Sequence, residues 1–173
     1  GANTAASADV GLQSFSGGLN ATAGTDQLYG WIFDVLTPID VTDLGVGDTD
    51  SDGLAISHEV GIYRVSDQVL LASVVVPGGV AGTLLNGFRY ASLGSSVNLT
   101  ADRYAIVMTM PELNADTQSI LNNSVGTAPE ISYVTSAFDL GSSLHFPAPG
   151  NNGAFAEGMF GPNFQFQAAA VPE

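Results

Sequence analysis

Gly47-Asp48-Thr49-Asp50-Ser51-Asp52-Gly53-Leu54-Ala55-Ile56-Ser57-His58-Glu59-Val60-Gly61-Ile62-Tyr63-Arg64-Val65 is the stretch on which the reading of the chain turns. Three aspartates alternate, a glycine follows, and a glutamate stands six residues after that glycine. Ile39 to Val46, just before it, reads as a short strand with Val41 and Asp43 opposite Asp40, Thr42 and Leu44. Glu59 to Val65 reads as a second strand. It forms a hairpin with Val69 to Val76 across the short polar connection Ser66-Asp67-Gln68. The acidic loop is thus held between strands rather than helices.

The flanking sequence extends the same pattern. Gln27 to Leu36 places Tyr29, Trp31, Phe33 and Val35 on one face and Leu28, Gly30 and Ile32 on the other, and Pro38 ends it. Val69 to Val76 is rich in β-branched residues and apolar on both faces, which predicts a central position in a sheet. Thr83 to Leu93 and Val97 to Leu99 read as two further strands. Arg103 to Met110 aligns Tyr104, Ile106, Met108 and Met110. Leu113 to Leu121 reads as one or two helical turns or a polar loop. Ile131 to Leu140 aligns Val134, Phe138 and Leu140, Gly141 to Gly153 reads as a long loop, and Phe160 to Ala169 closes the chain. About nine strands with little helix, at this turn spacing, predict an antiparallel β-sandwich of jelly-roll type. Residues 1–16 read as an N-terminal extension, with Val10 and Leu12 on one face of a weak edge strand, and residues 17–173 as one sandwich domain.

Composition narrows the partners. The 173 residues are 45% hydrophobic but only 12% charged, and 21 are glycine. The net charge is −14, with no lysine and only Arg64, Arg89 and Arg103 as cations. A nucleic-acid backbone would be repelled, and so would an anionic membrane surface. There is no cysteine, which removes disulfides, thiolate metal sites and cysteine nucleophiles. No apolar run reaches the length of a membrane span, so no membrane insertion is expected. Gly1-Ala2-Asn3-Thr4-Ala5-Ala6-Ser7 is the kind of small-residue sequence that follows a signal cleavage site, which points to a mature exported chain.

Asp48, Asp50, Asp52, Gly53 and Glu59 match the spacing of the EF-hand calcium loop. Alternate aspartates in a tight loop aim oxygens at one centre, the glycine permits the turn, and the glutamate can close the shell. The extended flanks reject the EF-hand fold itself. Two readings stay open: a calcium loop with Asp48, Asp50, Asp52 and Glu59 as ligands, or a solvated acidic connection that holds no ion. His58 and His145 lack the local partners of a zinc site and read as surface or loop residues. There is no nucleophile elbow, and no pair of acids is singled out for glycoside hydrolysis, so no catalytic residue is assigned and an enzyme is not expected. Trp31, Tyr29 and Phe33 form either a sugar-stacking platform or, since they share a face with Val35, a piece of core. Asn20-Ala21-Thr22, Asn98-Leu99-Thr100 and Asn122-Asn123-Ser124 fit the short glycosylation pattern.

Two further features carry a resemblance. Ala168-Ala169-Ala170-Val171-Pro172-Glu173 resembles the start of the sorting signal of PEP-CTERM proteins, exported bacterial proteins handled by an exosortase. The further proline, membrane helix and basic cluster of that signal are absent here, which fits a processed or trimmed chain. In addition, Leu28-Tyr29-Gly30-Trp31-Ile32-Phe33, Asp52-Gly53-Leu54, Ser57-His58-Glu59-Val60-Gly61-Ile62-Tyr63, Leu70-Leu71-Ala72-Ser73 and Gly87-Phe88-Arg89-Tyr90 resemble an uncharacterised β-domain of such proteins, over roughly residues 27–110. The resemblance implies export, a cell-surface or matrix location and a role in biofilm material, and it transfers no catalytic residues.

The expectation is therefore a secreted structural or adhesive subunit of a bacterial extracellular matrix or surface fibre. It would assemble with copies of itself, residues 1–16 being donated as a strand to a neighbour's open sheet edge. The alternative is an extracellular carbohydrate-binding module, with matrix polysaccharide as its partner.

Overall fold

A computed structural model describes residues 8–120, 124–149 and 158–169. Every regular element among them is a strand, and every pairing between strands is antiparallel. In chain order these are β1 (Asp9–Val10), β2 (Leu12–Ser16), β3 (Leu19–Ala21), β4 (Gln27–Val35), β5 (Ile39–Gly47), β6 (His58–Arg64), β7 (Leu70–Val76) and β8 (Thr83–Leu85). There follow β9 (Phe88–Leu99), β10 (Arg103–Met110), β11 (Gln118–Ile120), β12 (Ser124–Thr127), β13 (Ile131–Leu140), β14 (Ala148–Pro149), β15 (Met159–Phe160) and β16 (Pro162–Ala168). Two main sheets dominate, ordered β14-β13-β4-β10-β6-β7 and β1-β16-β5-β9-β8. Two small sheets, β15-β11-β3 and β12-β2, accompany them. The arrangement is sandwich-like.

The two main sheets meet through the aromatic face of β4. Tyr29, Trp31, Phe33 and Val35 all lie in the central core. Trp31 stacks on Phe164 of β16 at 6.0 Å between ring centres, and Phe33 does so at 5.0 Å. Trp31 is fully buried, and its Nε1–H donates to the Pro162 carbonyl at 2.8 Å. The core reading of this face therefore holds, and no sugar platform exists there. The other face of the six-stranded sheet is also dry. Leu28 packs with Tyr63 and Val107, and Ile32 with Ala105 and Ala137, both groups covered by Phe146 from the segment after β13. That covering explains why β4 is apolar on both faces.

Bulges decide where simple alternation fails. In β5 the register shifts between Val41 and Asp43, so Val41 and Leu44 both face the core, instead of lying on opposite faces as strict alternation predicts. In β13 a shift between Tyr133 and Thr135 puts Val134 on the outer cluster and Phe138 on the central one. Leu140, predicted to join them, is exposed.

Other expectations are corrected. Thr83–Leu85 is a separate strand, because Asn86 (φ 50°) and Gly87 (φ 82°) form a two-residue hairpin turn, and β9 then runs unbroken to Leu99. Leu113 has a positive φ of 51° and the segment before β11 is a loop, not helical turns. The strand β7, expected at a sheet centre, is an edge. Residues 9–16 do not stand outside the domain: β1 pairs with β16, β2 pairs with β12, and Val10 and Leu12 are buried. Residues 1–7 and residues 170–173, part of the stretch that resembles a sorting signal, lie outside the described residues.

Two consequences are measurable. Trp31→Ala should lower stability by about 3–5 kcal/mol in denaturant titration, because a large buried ring is lost. Tyr90 lies in the core with its hydroxyl buried and without a partner. Burial, then the charge of Asp43, pushes its phenol well above its ordinary range. The unfolded chain releases this proton first as the medium turns alkaline, so this stabilisation is present below the ordinary tyrosine range and lost above it. Tyr90→Phe should be neutral or stabilising by up to about 1 kcal/mol at neutral pH and should flatten the alkaline limb of the stability curve; an unchanged alkaline limb would refute the assignment.

Candidate functional site

The acidic loop leaves β5 at Gly47 and returns at His58, and two buried carboxylates hold it. Asp48, 4% exposed, accepts at Oδ2 from the Gly53 amide at 3.0 Å and from Arg89 Nε at 2.9 Å. Arg89 sits on β9 beside Val46 of β5 and is itself buried. Its two terminal nitrogens donate to the Gly82 and Ser51 carbonyls at 3.3 and 3.4 Å. The guanidinium therefore reaches across the loop that the aspartates encircle. Gly53 adopts φ 108°, which a side chain would strain, and this lets its amide turn back to Asp48.

The second carboxylate comes from a different part of the chain. Asp116 lies in the loop between β10 and β11, its backbone N–H donating to Asn114 Oδ1 at 2.8 Å. Its Oδ1 accepts from the Ala55 amide at 2.7 Å, and its Oδ2 from the Ile56 amide at 3.2 Å. The same Oδ2 is 2.8 Å from His58 Nε2. His58 is 1% exposed, which corrects its reading as a surface residue. Its Nδ1 is 2.8 Å from the Thr109 carbonyl, which can only accept, so Nδ1 carries a hydrogen and one proton lies between Nε2 and Asp116. Both ring nitrogens are engaged and the ring is closed to solvent, so it offers no base to a substrate. His145, in contrast, is a half-buried residue paired with Asp139 at 3.2 Å.

The four residues with calcium-loop spacing do not converge. Asp48 is turned onto Arg89, and Asp50 and Asp52 are exposed. Glu59 follows buried His58 on β6, so the pleat directs it to the opposite face, where burial, and then the charge of Glu59, raise the phenol of Tyr63. Among the described residues no group of three or more histidines or acids is placed to hold a metal. Sequence reasoning missed Arg89 and Asp116. The scarcity of cations was the available signal for Arg89: with only three arginines, each is paired, Arg64 with Asp67, Arg89 with Asp48 and Arg103 with Asp34. Nothing in the linear sequence marks Asp116.

Two adjoining cavities open here. One, of about 320 Å³, is lined by Asp48, Asp50, Asp52 and Asp116 together with Thr49 and Thr117. The other, of about 250 Å³, is lined by Phe15, Phe88 and Phe160 and by Asn20, Asn86 and Gln118. They share Gly47 and Thr49. Gln118 Nε2 donates to the Gly47 carbonyl at 3.0 Å, while its buried Oε1 has no partner.

In comparisons with known proteins, no family model and no curated protein matches the chain.

Removing a single member of a buried pair should be severe. Asp116→Ala should cost about 3–5 kcal/mol, because it strands His58 and two amides, whereas Asp50→Asn and Asp52→Asn should stay within about 0.5 kcal/mol. Chemical denaturation of the three variants checks this, and equal effects would show that the loop is not held by Asp116.

Proposed function

We propose that the chain is an exported structural or adhesive subunit of a bacterial extracellular matrix or surface fibre, which joins copies of itself by adding strands to an open sheet edge. One observation carries the reading: the edge strands β7 and β8, which end the six-stranded and the five-stranded sheet, lie in an apolar, uncharged stretch of chain. Residues 68–88 contain no charged side chain, in a protein of net charge −14. Of the ten exposed large hydrophobic residues among the described residues, six fall there: Val69, Leu70, Val75, Val80, Leu84 and Leu85. Among the described residues β7 pairs only with β6, so one of its sides offers backbone groups that none of them pairs. Edge strands are usually protected by charge, proline or a bulge at mid-strand. Apart from a register shift near Leu71, β7 has none of these along its seven residues. Two strongly acidic copies can approach through this stretch without setting like charges against each other.

The donor must be compatible with the fold. Residues 9–16 are used within their own domain, so the donated segment in this reading is residues 1–7 of a neighbour. Export and a matrix location rest on the PEP-CTERM resemblance. A chain this acidic fits a role away from nucleic acid. Among the described residues no helix is long and apolar enough to cross a membrane. In this reading Arg89 takes the place of a calcium ion in closing the acidic loop.

The tests separate these claims. Deletion of residues 1–7 and the edge change Val75→Lys should each abolish filaments in electron micrographs while leaving the melting temperature unchanged. Filaments that persist in both variants would refute strand addition. Melting with calcium and with a chelator should give the same midpoint; a calcium-dependent rise would mean that the ion binds the folded state.

A further inference from the structure

The paired cavities carry an inference that is independent of assembly. We infer that the cavity bounded by Phe15, Phe88, Phe160, Asn20, Asn86 and Gln118 binds one ring of a saccharide, and that the adjoining acidic cavity selects an amine-bearing sugar over a carboxylate-bearing one. The chemistry of the lining supports this. A pyranose ring has an apolar C–H face and a rim of hydroxyls, so it needs an aromatic surface and side-chain amides together. Three phenylalanine side chains meet here, Phe15 lying 5.3 Å from Phe160 and 6.3 Å from Phe88 between ring centres. Phe88 and Phe160 are buried beneath, and Phe15 is partly open. Exposed side-chain amides come from two separate segments, Asn20 on β3 and Asn86 in the turn before β9, while Gln118 on β11 is buried in the lining. Asn86 is held at φ 50°, in a two-residue turn that fixes its place on the rim.

Gln118 supplies the second argument. It is fully buried, its Nε2 is committed to the Gly47 carbonyl, and its Oε1 accepts nothing. A buried acceptor without a partner is left unfavourably desolvated. This oxygen is closed to solvent, so a ligand hydroxyl satisfies it only if the side chain turns toward the cavity.

Selectivity follows from the neighbouring cavity. Across Gly47 and Thr49 lie Asp48, Asp50, Asp52 and Asp116. Asp48 and Asp116 are engaged by Arg89 and His58, whereas Asp50 and Asp52 are exposed. An ammonium group on a sugar seated over the phenylalanines meets this acidic wall, and a uronic acid is repelled by it.

Nuclear magnetic resonance titration of the full chain with chitosan trisaccharide, cellotriose and a uronate trisaccharide, at physiological salt, tests the inference. Chitosan trisaccharide should shift the signals of Phe15, Asn20 and Phe88, cellotriose should bind about tenfold more weakly, and the uronate should not bind. Thr49→Trp fills the junction between the cavities from an exposed position and should abolish binding, while Asp50→Asn with Asp52→Asn should erase the preference for the amine. Thr49→Trp folding should be confirmed by its melting temperature, and Phe15→Ala is the second variant if it fails to fold. Binding that survives in the folded blocking variant would reveal only non-specific attraction of a cation to an acidic protein and would overturn the site. Absence of shifts at Phe15, Asn20 and Phe88 would overturn it equally. Neither outcome touches the assembly reading, which is judged by filaments.

Discussion

Packing of the β4 aromatic face against β16 is the contact that turns two sheets into one fold. Trp31 and Phe33 both lie on Phe164, and Phe160 meets the indole edge-on at 6.1 Å. The rings exclude water and fix the separation of the sheets, because each fills the gap left by its neighbour. The indole N–H hydrogen bond to Pro162 sets the height of β16 against β4. Since β16 also pairs with β1 and β5, the same contact positions the start of the chain and the strand that launches the acidic loop.

From there the loop is governed by charge. A chain with seventeen acids and three arginines has few ways to neutralise a buried carboxylate. It uses a guanidinium for Asp48, and for Asp116 it uses an imidazole and two backbone amides. Buried pairs of this kind add little net stability over apolar contacts, but they specify one loop path, because every alternative leaves a charge unpaired. The fixed path creates the walls of both cavities. Exposed Asp50 and Asp52 remain directed at solvent, where an acidic wall can discriminate between ligands at small cost to the fold.

The surface is thus divided. The stretch that holds β7 and β8 is free of charge, while the loop end carries an acidic cavity beside an aromatic one. A self-assembling subunit that also grips a matrix polysaccharide would use these regions separately, since one offers backbone hydrogen bonds and apolar contact and the other offers a shaped, charged pocket.

Much of this was legible in the sequence. Period-two alternation located β4, β6, β10 and β13 closely, because a strand with one buried face must repeat every second residue. It also placed Trp31, Tyr29 and Phe33 on one face with Val35, and the structure shows that face to be core. Alternation could not locate the bulges in β5 and β13, since a register shift is set by the partner strand and leaves no local mark. The Asn86-Gly87 turn is legible from residue type, since asparagine and glycine are the residues that tolerate the positive φ angles it needs. The spacing of Asp48, Asp50, Asp52 and Glu59 specified loop chemistry without saying where the oxygens point; Glu59 was sent to the far face by the pleat, and Asp48 was claimed by Arg89. Composition and alternation alone determined an acidic, cysteine-free, all-β chain. Only the tertiary structure brought Arg89 and Asp116, 41 and 68 residues along the chain from Asp48, to one loop, because long-range pairing of strands rather than any local preference decides which distant side chains become neighbours.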